Sequence, residues 1–174
     1  MEVIYPEALP LEADNRLREE RYQEVIGRIK QLLEEETDWV AAMATVACEL
    51  HHAFAYYHWT GFYRAVAPEL LVIGPYQGTH GCLRIPFHRG VCGAAARTRQ
   101  TQRVPDVHRF PDHIACSSRT RSEIVVPVLT PDEELLAVLD VDSDYLDAFR
   151  VVDQHYLEQL CAWLGKRYAL TPCR

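Results

Sequence analysis

Residues 123–142 read EIVVPVLTPDEELLAVLDVD. Two apolar, β-rich runs, 124–129 and 135–141, flank the turn signal Thr130-Pro131-Asp132. That pattern reads as a hairpin in the core of a sheet. Side chains two apart on a strand face the same side, so Asp140 and Asp142 project together while Glu123 opens the other strand. Carboxylates at the end of an apolar strand often face solvent or cap the next turn. If crowded and partly buried, they acquire raised pKa values and can donate a proton.

Upstream of the hairpin lies PDVHRFPDHIACSSRTRS (105–122). Structureless loops beyond roughly 12–15 residues are uncommon in a compact domain and often functional. Before it, Gly90–Thr98 (GVCGAAART) reads as a short helix entered through a glycine turn, and Gln102–Val104 as a short strand. Period-two patterning places Tyr57, Trp59, Gly61 and Tyr63 on one side of a strand, Leu71 and Ile73 on a second, and residues 82–85 on a third. In the first third of the chain, Leu17, Tyr22, Val25, Ile29 and Leu32 recur at three- and four-residue steps, predicting an amphipathic helix over 14–35. Asp38 can cap a second helix carrying Trp39, Met43, Ala47 and Leu50 along one face. A last helix over 152–168 turns Tyr156, Leu157, Leu160 and Trp163 inward. Neighbouring strands joined by short turns imply an α+β fold, a mainly antiparallel sheet of about six strands with helices packed against it. The expected organisation is an extended arm (1–12), one domain (13–170) and a short tail (171–174).

At 174 residues the chain is about one domain long, and its 48% hydrophobic and 25% charged residues are ordinary for a globular protein. Lys and Arg number 18 against 25 Asp and Glu, a formal charge of −7. No basic stripe offsets that balance, so a nucleic-acid partner is not expected. No apolar run approaches the roughly 18 residues of a membrane span. The acidic start MEVIYPEALPLEADNR lacks the basic and apolar regions of a secretory signal, which predicts a cytoplasmic protein.

In a reducing compartment, cysteines are buried hydrophobes, metal ligands or redox groups. Cys48 lies among apolar neighbours and reads as core packing; Cys161 falls in the last helix and Cys173 on the tail. Cys82, Cys92 and Cys116 each sit beside glycine or loop backbone. A single cysteine is more often a small buried hydrophobe, but three in such places point to redox or metal chemistry. A thiol of pKa about 8.5 needs activation to attack. Candidate activators are His113 and Arg119 around Cys116, and Arg89 with a helix N-terminus near Cys92. Zinc could draw on His108, His113 and Cys116, but Cys82 and Cys92 are too far apart in sequence to form a knuckle. Trp59, Phe62 and Tyr63 are either plain core or an aromatic wall suited to a thioether.

The stretches HWTGFYR (58–64), LVIGPYQGTHGCLRIP (71–86), HRGVCGAAA (88–96), DVHRFPDHIAC (106–116), SEIVVPV (122–128) and AVLDVDS (137–143) occur in this order. Together they resemble the free methionine-(R)-sulfoxide reductases, enzymes on the GAF fold. The resemblance implies that Cys116 attacks the sulfoxide sulfur and is left as a sulfenic acid. Cys82 then condenses with it to a disulfide, which thioredoxin reduces, with Cys92 as an alternative nucleophile or secondary resolving thiol. It further implies that Glu123, Asp140 and Asp142 form an acidic pocket, in which one group protonates the sulfoxide oxygen and another receives the substrate ammonium. Trp59 and Tyr63 would wall the methyl group, and backbone N–H groups around Ile114, Ala115 and Cys116 would hold the carboxylate. No cofactor or metal is implied. GAF domains often pair through terminal helices, which suggests a homodimer. The chain departs from the family pattern at His58, at His88, in the basic SSRTRS run and in a longer N-terminal arm. A non-catalytic GAF module sensing a small ligand or oxidant is the alternative reading, and a zinc-stabilised interaction protein a third.

Overall fold

The first helix begins where Asp14 accepts a hydrogen bond from the Leu17 N–H at 2.9 Å, and the second where Asp38 accepts one from Ala41 N–H at 2.7 Å. Both are side-chain caps on otherwise unsatisfied first-turn donors. The computed structural model describes residues 6–112 and 117–170. Its elements run α1 (Asn15–Leu32), α2 (Trp39–Ala53), β1 (Trp59–Ala67), β2 (Leu70–Gln77), β3 (Arg84–Pro86), α3 (Gly90–Thr98), β4 (Gln102–Val104), β5 (Ser122–Leu129), β6 (Leu135–Ser143) and α4 (Val151–Arg167). The strands form one sheet in the order β3-β2-β1-β6-β5-β4, every neighbouring pair antiparallel. This is the expected α+β architecture.

Strand parity divides the sheet into two faces. Phe62, Ile124, Val126, Val128, Ala137, Leu139 and Val141 form one core with side chains of α1, α2 and α4. Trp59, Tyr63, Val125 and Val138 lie in a second cluster with Val91, Cys92, Ala95 and Ala96 of α3. The hairpin expected from 124–141 is present, and both strands extend to its flanking polar residues. Ser122 and Glu123 pair with Ser143 and Asp142.

Several expectations need correction. Leu17 and Leu32 of α1 are exposed, whereas Arg18 is fully buried. Its guanidinium donates to the Asp153 carboxylate at 2.6 Å and to the carbonyls of Ala148 and Leu11. Asp153 also accepts from the hydroxyls of Tyr22 and Tyr56, both at 2.8 Å, so the buried charges are paired and hydrogen-bonded. Apolar periodicity is blind to such a pair. Cys48 is half-buried and contacts the His52 ring, so it is not core packing. Tyr156 and Trp163 of α4 pack half-buried against the core as expected, and Cys161 and Leu164 join Leu157 and Leu160 on its fully buried face. The third strand starts at Arg84, leaving Cys82 in the segment before it. The stretch after β4 contains a short 3-10 turn at Val107–Arg109, and Ser122 belongs to β5. Leu9, from the expected N-terminal arm, forms a parallel bridge with Phe54.

Candidate active site

Three central strands bring their polar side chains into rows on the α3 side of the sheet. Asp142 stands between Trp59 on β1 and Glu123 on β5, and Asp140 between Gly61 and Val125. Tyr63 follows two residues after Gly61. The missing side chain at Gly61 is what admits the indole: a Cβ there would lie 2.7 Å from the Trp59 ring and 2.4 Å from Tyr76. Trp59 stacks on Tyr63 and Tyr76 at centroid distances of 5.7 and 5.2 Å. Its indole N–H donates to the Thr79 carbonyl at 2.9 Å. The aromatic wall is thereby tethered to the segment leading to Cys82.

These groups line a cavity of about 120 Å³ that Trp59, Tyr63, Cys92, Glu123, Asp140 and Asp142 share. Cys92 lies in the first turn of α3, buried, and its thiol donates to Glu123 Oε1 at 3.9 Å. Burial, reinforced by the Asp140 and Asp142 charges, pushes the Glu123 carboxyl well above the usual carboxylate range. Burial also raises Asp140, to about 7. Asp142, partly open to the cavity, moves the same way through desolvation and the Asp140 and Asp144 charges. Oδ1 of Asp140 is buried with no hydrogen-bond partner among the described residues. The cavity therefore holds crowded carboxyl groups that keep protons at pH values where carboxyls are ordinarily ionised.

The same field overturns one expectation. Cys92 is not activated by the helix N-terminus or by Arg89, which is exposed. Burial and then the neighbouring Asp140 and Glu123 carboxylates raise its thiol well above the ordinary value. Cys82 is half-buried and disulfide-bonded, while Cys92 and Cys161 are free thiols. Cys161 packs in the core on the opposite face of the sheet. His113, Ile114, Ala115, Cys116 and Cys173, and with them the expected nucleophile and carboxylate-binding backbone, lie outside the described residues. Of the expected zinc ligands only His108 is described, and it is exposed.

Arg119, expected as an activator near Cys116, and His58 also line the cavity, together with Ser117 and Asp144, which sequence reasoning missed. Arg119 Nε and Nη2 both donate to Asp144 Oδ2, at 2.8 and 2.5 Å, and the Asp144 N–H donates to His58 Nδ1 at 3.1 Å. A backbone N–H can only donate, so His58 Nδ1 is the acceptor in this contact. The alternation Asp140, Asp142 continues to Asp144 and would have pointed to it. His58 precedes β1, where strand parity gives no guidance.

The domain model for the GAF domain matches residues 18–168. The chain belongs to the GAF family. The free methionine-R-sulfoxide reductase of Saccharomyces cerevisiae is 37% identical over 160 residues, covering 88% of this chain and 89% of that relative. Its Escherichia coli namesake is 39% identical over 152 residues, 87% of this GAF chain and 91% of the relative. Among solved structures, free methionine-R-sulfoxide reductase from Neisseria meningitidis, in complex with its substrate, superposes with a TM-score of 0.83 at 44% identity. That match covers 94% of this chain and 96% of the other. The resemblance read from the sequence blocks is thus borne out at the level of family. Among the described residues, no helix of this GAF domain is long and apolar enough to cross a membrane.

Proposed function

We propose that this protein reduces free methionine-(R)-sulfoxide to methionine. The observation that carries the reading is the cavity in which burial raises the pKa values of the Glu123, Asp140 and Asp142 carboxyls beside the Trp59–Tyr63 wall. A sulfoxide gives up its oxygen readily only if that oxygen is protonated as the S–O bond breaks. A carboxyl retaining its proton near neutral pH is a suitable acid. A methyl sulfoxide would lie against the stacked rings, whose faces favour sulfur and methyl groups. The substrate ammonium would find an ionised carboxylate in the same row. The relatives named above, which share most of their length with this chain, support the same activity.

In this reading Cys116 is the nucleophile. Its thiol attacks the sulfoxide sulfur as a pocket carboxyl protonates the oxygen; the S–S and S–O bonds of that adduct then break as the hydroxyl passes to Cys116, leaving a sulfenic acid and methionine reduced by two electrons. The Cys82 thiol displaces the oxygen as water and a disulfide forms. The disulfide-bonded state of Cys82 fits the oxidised end of such a cycle. A thioredoxin dithiol then returns two electrons and two protons. Cys92, buried and with its pKa raised, suits a reserve thiol or hydrogen-bond donor better than first attack.

The decisive assay is multiple-turnover reduction of free (R)- and (S)-methionine sulfoxide with thioredoxin, its reductase and NADPH. Turnover of the R form alone is expected. Cys116→Ser should abolish it, and Cys82→Ser should stop after about one product per enzyme, as a resolving thiol requires. An intact, reduced protein with no turnover would refute the proposal and favour a ligand-sensing GAF module.

A further inference from the structure

We propose that Cys92, Glu123 and Asp140 form a binding site for a borderline-soft divalent cation of the Zn²⁺ class, within the same cavity. One ligand atom from each, a thiol sulfur and two carboxylate oxygens, lies within 4.8 Å of the others, and all three residues are buried. The sulfur is already 3.9 Å from Glu123 Oε1. Around a tetrahedral Zn²⁺, with bonds of about 2.3 Å to sulfur and about 2.0 Å to oxygen, such atoms stand about 3.5 Å apart. A few tenths of an ångström of closure complete that contact. A set combining one sulfur with two oxygens suits Zn²⁺ or Co²⁺, whereas Ca²⁺ and Mg²⁺ require oxygen throughout.

A second observation points independently to a ligand. Asp140 Oδ1 is buried and unpartnered among the described residues, a costly state that a cation would relieve. The three ligands come from α3, β5 and β6, and the strand pairing Glu123–Asp142 and Val125–Asp140 holds the two carboxylates in register. All three residues line the cavity, so an ion held by them would have three protein ligands and room on the cavity side for a fourth. On binding, the Cys92 thiol and whichever of the Glu123 and Asp140 carboxyls is still protonated exchange S–H and O–H bonds for bonds to the metal, their protons pass to solvent, and no electron is transferred. The ion and a sulfoxide claim the same room, so each excludes the other. The site itself stands apart from the reductase reading; only that competition rests on it.

The test is anaerobic titration of the reduced full chain with CoCl₂. A near-ultraviolet thiolate-to-cobalt charge-transfer band should saturate at one equivalent and disappear when ZnCl₂ is added. Cys92→Ser should lose the band, and Asp140→Asn should weaken Co²⁺ binding by about tenfold or more. Cys48→Ala, which removes the thiol beside His52, should keep it. A band surviving in Cys92→Ser, an unchanged affinity in Asp140→Asn, or no band in the wild type would overturn the site. Substitution of two ligands on different elements, each checked by circular dichroism, separates loss of a ligand from loss of fold. Cobalt binding without sulfoxide turnover would leave this site standing and remove the reductase proposal; turnover without cobalt binding would do the reverse.

Discussion

Asp140→Asn should make the fold more stable, and by more as the pH rises. In the folded chain burial lifts the Asp140 carboxyl from its ordinary 3.8 to about 7. A raised folded-state pKa means that the unfolded chain loses this proton first. The associated stability is fully present below about pH 4, and it is lost progressively as the pH climbs through about 7. A difference of about 3 pKa units corresponds to about 4 kcal/mol, which is the ceiling for the cost of ionising this buried group. Asparagine matches the shape of the protonated acid and cannot ionise. Urea unfolding of reduced, chelator-treated protein at pH 5, 6, 7 and 8, followed by tryptophan fluorescence, should show the variant gaining on the wild type by about 2–4 kcal/mol at pH 8. Glu123 and Asp142 shift in the same direction, so some decline with pH persists in the variant. An advantage equal at pH 5 and pH 8, or a variant less stable at pH 8, would refute the argument that desolvation governs this carboxyl.

Gly165→Ala should destabilise the fold by about 3 kcal/mol or more, because its Cβ would fall 1.8 Å from the Leu129 carbonyl oxygen and α4 would have to lift off β5; unchanged urea midpoints would contradict that contact. Arg18→Met leaves the Asp153 charge buried beside two tyrosine hydroxyls, so a loss of about 3–5 kcal/mol is expected from chemical unfolding. Cys48→Ala and Cys161→Ala each remove a thiol remote from the cavity and should leave the rate of sulfoxide reduction near wild type. A dead variant at either position would show that the reactive thiols have been misassigned.

What the sequence made legible follows from which forces act locally. The start of α3 was readable because Gly90 opens it with a positive φ. The shared face of Asp140 and Asp142 followed from strand parity alone. Parity could not say that β6 lies between β1 and β5, and that order is what surrounds Asp142 with Trp59 and Glu123. Arg18 was illegible for a different reason. Its burial depends on a carboxylate 135 residues away, and periodicity treats every arginine as a solvent-facing group. Cys92 shows the same limit: its neighbours in sequence suggested activation, while its neighbours in space suppress ionisation.

The Arg18–Asp153 pair has a consequence for how the chain is made. Synthesis proceeds from the N-terminus, so α1 leaves the ribosome long before its ionic partner has been translated. Until α4 emerges, burying Arg18 would strand an uncompensated charge, and β1, which can pair with β2 at once, keeps its other edge open until β6 is made. The docking of α1 seen in the finished fold therefore becomes favourable only once the last helix is available to close over Arg18.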